Sequence, residues 1–458
     1  MKPTRRDICR WGLTGLAAAG LPALGCTARS RPNVLFIAID DLNNWPACLG
    51  GHPDALSPNL DALAASGRLF KRAYSPGTNC NGTRTAVLSG VRPSTSGVYA
   101  NRNRHPEGLL DGSIPVLFRQ HGYRLVAGGK VFHRRKPELW DKFFYPEAPD
   151  LFQFRAAPDE YGYSSNDDFN WGPVRYPEAK TWDGRLARWA GRQLEREYDR
   201  PFFLAVGFFE PHLPWWVPER YFRPFPLHKV TLPESDWTDL RDIPRYARLR
   251  ASRGVFLQVV RSGQWRQAVA SYLAATYFVD AMVGRVLDAL DSGPHADNTI
   301  VVLWSDHGFG LGQKRNWHKY LLWEHTTQVP FIIRAPQQAQ PGAVCMRPVD
   351  LMHIYPTLVE LCDLPMPAHL EGRSLRPLLD RHDADWPLPA ISTGDWGSHA
   401  VRTDRWRFIR YGDGSEELYD HSVDTLERVN LATVSEHAEV KEKLAAWFPE
   451  PSGADIGA

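Results

Sequence analysis

Asn33-Val34-Leu35-Phe36-Ile37-Ala38-Ile39-Asp40-Asp41 is an unbroken apolar, β-branched run that follows Pro32 and stops at two adjacent carboxylates. A strand with one face in water alternates apolar and polar residues, whereas a strand covered on both faces reads as apolar throughout. The run therefore predicts a central strand with helices on either side. Similar runs recur at residues 202–209 and 299–304, with a shorter one at 123–127. Helical patterns lie between them: Ser57-Pro58 offers an N-cap and a first-turn proline before residues 59–65, and 264–290 carries apolar residues at three- and four-residue spacing. The alternation predicts an α/β fold, a large mixed, mostly parallel sheet sandwiched by helices.

Outward from that core the texture changes. Residues 134–183 and 217–263 are rich in Pro, Trp, Tyr and charge without periodicity, and are expected to be surface loops. A helix-like segment at 349–362 and a proline-rich stretch at 364–389 precede short strand patterns at 400–403, 406–410 and 417–419. With a helix around 436–448, these predict a smaller C-terminal α+β domain carrying an antiparallel sheet. The expected division is 1–30 export signal, 31–385 catalytic domain and 386–458 C-terminal domain.

The 458 residues include 54 basic and 52 acidic side chains, a net charge of +2. So balanced a chain gives no reason to expect nucleic acid or an anionic membrane surface as a partner. Thr4-Arg5-Arg6-Asp7 before the apolar, small-residue stretch 11–24 has the layout of a twin-arginine export signal, with an uncleaved anchor as the alternative. That stretch is shorter than the roughly 20 residues needed to span a bilayer. Gly25-Cys26 resembles a lipoprotein processing site, so membrane attachment is expected only through a lipid on Cys26. The protein is read as an exported bacterial one, periplasmic or lipid-anchored at the envelope. Cys48, Cys80, Cys345 and Cys362 are too few and scattered for a disulfide framework; Cys345 and Cys362 are read as inert buried residues.

Ligands of open α/β sheets bind beyond the carboxyl ends of the strands. The predicted strands present Asp40-Asp41, then Gly128-Gly129-Lys130 with His133 beyond, then Glu210-Pro211-His212, then Asp306-His307-Gly308. Each has a bland reading, since an Asp after a strand is commonly a turn former and a lone histidine is often structural. Together they do not. Three carboxylates at one sheet edge repel unless a cation holds them, and hard oxygen donors favour Ca²⁺ or Mg²⁺. His307 is a poor ligand for a hard cation, so it either sits beside the metal or donates to a bound anion. Lys130, Lys319, His133 and His212 bring positive charge to the same point, which suits a tetrahedral anion and hydrolysis at sulfur or phosphorus. The nucleophile is sought in Thr78-Asn79-Cys80-Asn81-Gly82-Thr83-Arg84, at a predicted helix N-terminus that favours negative charge.

These residues resemble the type I sulfatases of the alkaline phosphatase superfamily over about residues 31–448, and within them the iduronate-2-sulfatase-like members. The resemblance is carried by Asp40-Asp41, Ser57-Pro58-Asn59-Leu60, the Cys80 to Arg84 core with Leu88-Ser89-Gly90, Gly129-Lys130-Val131-Phe132-His133, Phe209-Glu210-Pro211-His212, Ser305-Asp306-His307-Gly308, Trp317-His318-Lys319-Tyr320 and Leu418-Tyr419-Asp420. It implies an alkaline phosphatase-like fold and a separate maturase that converts Cys80 to formylglycine. The hydrated aldehyde attacks sulfur and releases the alcohol, and its second hydroxyl then drives loss of sulfate to regenerate the aldehyde. By the same resemblance Asp40, Asp41, Asp306 and His307 hold Ca²⁺, in preference to Mg²⁺, together with the modified Cys80. Arg84 steadies the formylglycine, Lys130 and Lys319 clasp the sulfate, and His133 or His212 assists proton transfer. The sequence departs from the family pattern at Gly82, where the maturation motif normally has proline, and at Thr83, Leu125 and Gly128.

The leading expectation is an exported sulfatase acting on a sulfated sugar. Phosphodiester or phosphonate monoester hydrolysis is a second reading, and an inactive lipoprotein that binds sulfated glycans with Cys80 left as a thiol is a third. Trp215, Trp216, Trp317 and Trp323 are either sugar-stacking platforms or core residues.

Overall fold

A computed structural model describes residues 31–156, 169–251 and 254–450. The expected export signal and Cys26 lie outside the described residues. Eight strands form the main sheet: β1 (Asn33–Ile39), β2 (Arg68–Phe70), β3 (Arg124–Gly129), β4 (Lys142–Phe144), β5 (Phe202–Phe208), β6 (Thr299–Ser305), β7 (Phe331–Arg334) and β8 (Val344–Cys345). Their spatial order is β8-β2-β7-β6-β1-β5-β3-β4, so the opening run lies between β5 and β6. Only β7 runs against the others, pairing antiparallel with both β6 and β2. The sheet is thus mixed and mostly parallel. Four of its strands, β2, β4, β7 and β8, carry no pattern legible in the sequence, because two to four residues are too few to display a period.

Alternate side chains of β1 feed two cores. Leu35, Ile37 and Ile39 meet α1 (Pro58–Ser66) and two helices later in the chain, Trp182–Leu194 and Trp265–Asp291. Val34, Phe36 and Ala38 meet the helix Cys80–Ser89, here α2, with α3 (Ile114–Gln120) and the later helix Ile354–Leu361. We number these later helices α4 (Trp182–Leu194), α5 (Trp265–Asp291) and α6 (Ile354–Leu361). Every residue of β1 is buried, so truncating Ile37 to Ala is expected to cost about 2–5 kcal/mol. Among the described residues no helix is long and apolar enough to cross a membrane.

The predicted N-cap Ser57 does not cap α1 with its side chain; its hydroxyl donates to Asp61 instead. Asp280, buried on α5, takes over that role by accepting from the backbone N–H groups of Asn59 and Leu60. A carboxylate at a helix N-terminus satisfies orphan donors and the helix dipole together.

The two stretches expected to be surface loops are not purely that. Trp171–Val174 pairs in parallel with Trp215–Pro218, and Trp171, Trp215 and Trp317 pack as a cluster of tilted rings against α5. Tyr221, Phe222 and Phe225 join the same core. Trp215, Trp216, Trp317 and Trp323 are all buried, so the core reading of the tryptophans holds. Cys345 and Cys362 are buried as expected, and burial pushes the Cys362 thiol up to about 12.

Beyond the main sheet, β9 (Ala390–Thr393), β10 (His399–Arg402), β11 (Trp406–Arg410) and β12 (Glu416–Asp420) form an antiparallel sheet in that order. One face is covered by α7 (Ala438–Ala445) and Phe448. The other face, through Ala400, Ile409, Tyr411 and Tyr419, packs on Leu321, Leu322 and Trp323. This second contact matters for the site because it braces the segment that carries Lys319.

Candidate active site

Register brings the strand ends to one level. Ile39 is opposite both Phe208 of β5 and Ser305 of β6, and Gly129 of β3 is opposite Gly207. The residues that follow, Asp40-Asp41, Phe209 to His212, Asp306-His307 and Lys130, therefore emerge together. Asp41 adopts a left-handed backbone, φ 61°, a conformation rare for a residue with a Cβ. Tyr272 from the middle of α5 holds that turn, its hydroxyl donating to the Asp41 carbonyl at 2.8 Å and accepting from Asn43 N–H at 2.9 Å. The Asp41 N–H donates to Asp306 Oδ1 at 3.1 Å. Nothing local in the sequence marks Tyr272, which lies in an ordinary apolar helix face.

Cys80 is the first residue of α2, a helix buried along its whole length. Asn79 caps it, accepting from Gly82 N–H at 3.0 Å while its amide donates to Tyr99 O. Gly82 thus has a use in the fold, since a proline there has no N–H to offer the cap. Around the sulfur stand Lys319 Nζ at 3.2 Å, His307 Nε2 at 3.3 Å and Lys130 Nζ at 3.9 Å. Burial and the nearby Asp40 would raise the thiol, but Lys130, Lys319 and His307 outweigh them and hold it well below its ordinary value.

The carboxylates form the floor. Lys319 Nζ donates to Asp41 Oδ1 at 2.7 Å, and Lys130 Nζ to Asp40 Oδ2. Burial works against ionisation of Asp40, yet Lys130 and Arg84 together keep it well below the usual carboxylate range. Burial lifts Asp306 to about 7 against the pull of Arg84 and His307. Arg84 donates to Asp306 Oδ2 at 2.8 Å, to Asp40 Oδ1 at 3.2 Å, and to the carbonyls of Lys130 and Val131. Its hydrogen bonds thus go to the acidic floor and the Lys130 segment, and its link to Cys80 is electrostatic. This is a positioning role.

His307 Nδ1 donates to Gly308 O at 3.0 Å, which leaves Nε2 directed at Cys80, Asp41 Oδ1 (3.3 Å) and Asp306 Oδ1 (3.6 Å). His212 is arranged alike: Nδ1 donates to Leu213 O at 2.6 Å and Nε2 stands 4.0 Å from Asp41 Oδ2. Its side chain is 29% exposed, so it faces the mouth of the site. His133 is half-buried with Nδ1 unpaired, and among the described residues no hydrogen bond or ion pair ties it to Cys80. Ligand atoms of Asp40, Cys80, Asp306 and His307 lie within 4.8 Å of one another, as do those of Asp40, Asp41, Cys80 and His212. Three buried carboxylates with an imidazole whose Nε2 points among them fit a divalent cation, and the preponderance of oxygen favours a hard one.

Lys319 is presented by a tight hairpin in which Gly310–Leu311 pairs with Trp317–His318. Lys314, Arg315, His318 and Tyr320 all have positive φ. Such strain persists only where surrounding contacts impose it, and it gathers at functional sites. Tyr320 N–H donates to Thr78 O, tying this hairpin to the approach to Cys80. One buried acid escaped the sequence reading: Asp183 accepts from the N–H groups of Phe209 and Glu210, both at 2.9 Å, while Glu210, named at the strand end, has its Oε2 buried without a partner.

A family model described as Sulfatase matches residues 32–364, and one described as N-sulphoglucosamine sulphohydrolase, C-terminal, matches 312–450. A curated protein of Formosa agariphila named "Sulfatase" is 36% identical over 446 residues, spanning 92% of this chain and 87% of that protein. The iduronate 2-sulfatase of Mus musculus is 30% identical over 429 residues, 79% of this chain and 76% of the relative. Among solved structures, a phosphonate monoester hydrolase from Silicibacter pomeroyi superposes with a TM-score of 0.77 over 91% of this chain and 94% of its own, at 21% identity, a likeness of fold.

Proposed function

Because the chain belongs to the sulfatase family and is a sulfuric ester hydrolase, we propose that it desulfates a sulfated sugar, using a formylglycine made from Cys80 and a bound Ca²⁺. One observation carries this reading: two lysines and an imidazole converge on the Cys80 sulfur above three buried carboxylates. The sugar class is supported by the mouse relative, whose name is that of a uronic-sugar sulfatase.

Asp40, Asp41, Asp306 and His307 would hold the cation, which when bound supplies Lewis-acid polarisation of a sulfate oxygen. Formylglycine would supply a hydrated aldehyde with two hydroxyls, one to attack sulfur and one to drive loss of sulfate afterwards. The chain's own groups do the rest. Lys130 and Lys319, now turned onto Asp40, Asp41 and the sulfur, carry the charge that matches the non-bridging sulfate oxygens in the transition state. Arg84 keeps Asp40 and Asp306 in place. His212, with Nδ1 committed to Leu213 O, has Nε2 at the mouth to hand a proton to the departing sugar oxygen, and His133 is the second candidate for that task.

Three measurements on protein from its native host or co-expressed with a maturase test the reading. Mass spectrometry of the Cys80 peptide is expected to give the aldehyde, and matched sulfate, phosphate and phosphonate esters are expected to be cleaved in favour of sulfate. Chelation is expected to abolish turnover and added Ca²⁺ to restore it. An unmodified thiol in the native host defeats the formylglycine mechanism, and preference for phosphonate transfers the protein to the second reading. We also propose export by the twin-arginine route, leaving the protein periplasmic or lipid-anchored at Cys26. A reporter fused to residues 1–30 is expected to leave the cytoplasm, and to stop doing so when Arg5 and Arg6 are changed to Lys.

A further inference from the structure

A cationic pocket that the proposed chemistry does not use lies beside the start of α2. Residues 101–105 fold over the start of α2: the Asn81 side-chain amide donates to the carbonyls of Ala100 and Asn103, and Asn81 N–H donates to Asn101 Oδ1. His105 Nε2 sits 2.9 Å from Thr85 Oγ1 and 3.3 Å from Asn81 Oδ1. Since Asn81 directly follows Cys80, this loop is anchored one residue from the nucleophile. On its far side the chain leaving Lys130 passes His133 and reaches Arg134, whose guanidinium donates to Arg102 O. Asn103, Arg104, His105, Arg134 and Lys136 line a cavity of about 260 Å³ between the two segments.

The charge here is one-sided. Arg104 and Arg134 are exposed, and among the described residues neither pairs with a carboxylate. Lys136 has only Glu138, at 3.9 Å and itself 62% exposed. Burial together with Lys136, Arg134 and His133 depresses His105, so the loop's own imidazole stays neutral and gives the cations a polar wall. In a chain whose overall charge is +2, three cations lining one concavity with a single exposed acid 3.9 Å from one of them do not follow from general basicity. Ordinary solvated surface charge is dispersed and paired with acids; this set is concave, Arg104 and Arg134 pair with no carboxylate among the described residues, and its loop is tied through Asn81 to the residue after Cys80. Arginine forks bind sulfate and carboxylate oxygens with charge-assisted hydrogen bonds.

Resting on the sulfatase reading, we propose that Arg104, Arg134 and Lys136 form a subsite for a second anionic group of the sugar substrate, so that the enzyme selects polyanionic oligosaccharides over singly sulfated neutral ones. The probes are a monosulfated neutral disaccharide, its disulfated counterpart, and a monosulfated disaccharide carrying a uronate carboxylate. Binding to the Cys80→Ala protein is measured by titration calorimetry, and hydrolysis by the matured enzyme. The doubly charged sugars are expected to bind about tenfold more tightly than the neutral one, the gain expected of one charge-assisted contact. The gain should shrink with added salt. Arg134→Ala/Lys136→Ala is expected to erase it by raising KM for the doubly charged sugars with little change in kcat, while hydrolysis of a simple aryl sulfate is unchanged. The better of the two doubly charged probes tells whether sulfate or carboxylate is the natural occupant. Equal binding of all three sugars, or a preference that survives the double variant, overturns the subsite and leaves the sulfatase reading intact. Loss of aryl sulfate hydrolysis in the double variant overturns it too, by placing those residues in the reaction itself. Preferential binding without hydrolysis of any sulfate ester defeats the sulfatase reading instead.

Discussion

Two clusters of buried charge lie within a few residues of each other along the chain, and they solve the same electrostatic problem in opposite ways. Around Glu324 and Glu427 the counter-charges are arginines. Arg407 pairs with both, at 2.6 Å to Glu427 Oε1, Arg402 donates to Glu324 Oε2 at 3.2 Å, His421 stands 3.0 Å from Glu427 Oε1, and Tyr74 donates to Glu324 Oε1 at 2.7 Å. Planar forks engaged by oxygens leave no room for a ligand, although Glu324, His421 and Glu427 by themselves have metal-ligand spacing. Around Cys80 the counter-charges are two lysines, point charges on long stems, and one fork, Arg84, held by Asp40 and Asp306. One cluster joins the C-terminal sheet to the Lys319 segment and is finished. The other pairs its acids with Lys130 and Lys319, single ammonium groups that can also turn to an anion. Ligand spacing alone therefore identifies no metal site; the identity of the surrounding cations decides.

The sharpest way to break this contrast is by mutation at each centre. Cys80→Ala and Asp306→Ala are expected to lower sulfate ester hydrolysis by about 10³-fold or more, the scale for removing a nucleophile or its support, measured as kcat/KM on an aryl sulfate. Retained activity in either would show that the basin is not the reacting centre. Arg407→Ala is expected to do the reverse, costing about 3–5 kcal/mol in stability by leaving Glu324 and Glu427 buried and unpaired, while the folded fraction still hydrolyses. Urea denaturation followed by circular dichroism reads that loss, and an unchanged midpoint would mean that the arginine cluster is ornamental.

Acid sharpens the distinction further. Burial opposes ionisation of Glu324 and Glu427, but Arg402, Arg407 and His421 hold Glu324, and Arg407 and His421 hold Glu427, below their ordinary value of 4.5. A carboxyl depressed in the folded state contributes stability that is present above its unfolded pKa and is lost as pH falls through the folded one. The urea midpoint is therefore expected to drop as pH is lowered below 4.5, and to drop less steeply in Arg407→Ala, where the depression is relieved. Equal slopes in the two proteins would place the acid sensitivity elsewhere. The smallest effect is expected at Gly82. A Cβ there would meet Val98 O at 3.1 Å, a tight contact offset by the gain of about 1 kcal/mol in helix propensity. Gly82→Ala should thus move the thermal midpoint by only a few degrees, whereas Gly82→Pro, which also removes the N–H that Asn79 accepts, should lower it clearly more.

Much of this was legible along the chain. A strand apolar on both faces announces itself in seven residues, and polar groups at the ends of several such strands must meet when the strands are parallel and in register. Asp40, Asp41, Lys130, His212, Asp306 and His307 were found by that reasoning, and Cys80 by the helix start between two of the strands. The strands of two to four residues were not; β2, for one, is defined by partners more than 200 residues away, as in the pairing of Leu69 with Ile332. Nor did the tryptophans declare themselves: the same side chain serves as platform or core, and only the packing of Trp171, Trp215 and Trp317 on α5 settles it.

What the sequence by itself determined is therefore the central sheet and the kinds of group at its edge, since both rest on local periodicity and on the chain direction of parallel strands. Only the tertiary structure decided how those groups are held: Tyr272 fixing the left-handed turn at Asp41, Arg84 engaging two carboxylates, the C-terminal sheet bracing the hairpin of Lys319, and arginines closing one acidic cluster while lysines leave the other open. Each depends on contacts between segments far apart in the chain. No residue's neighbours in sequence record which distant side chain will neutralise its charge.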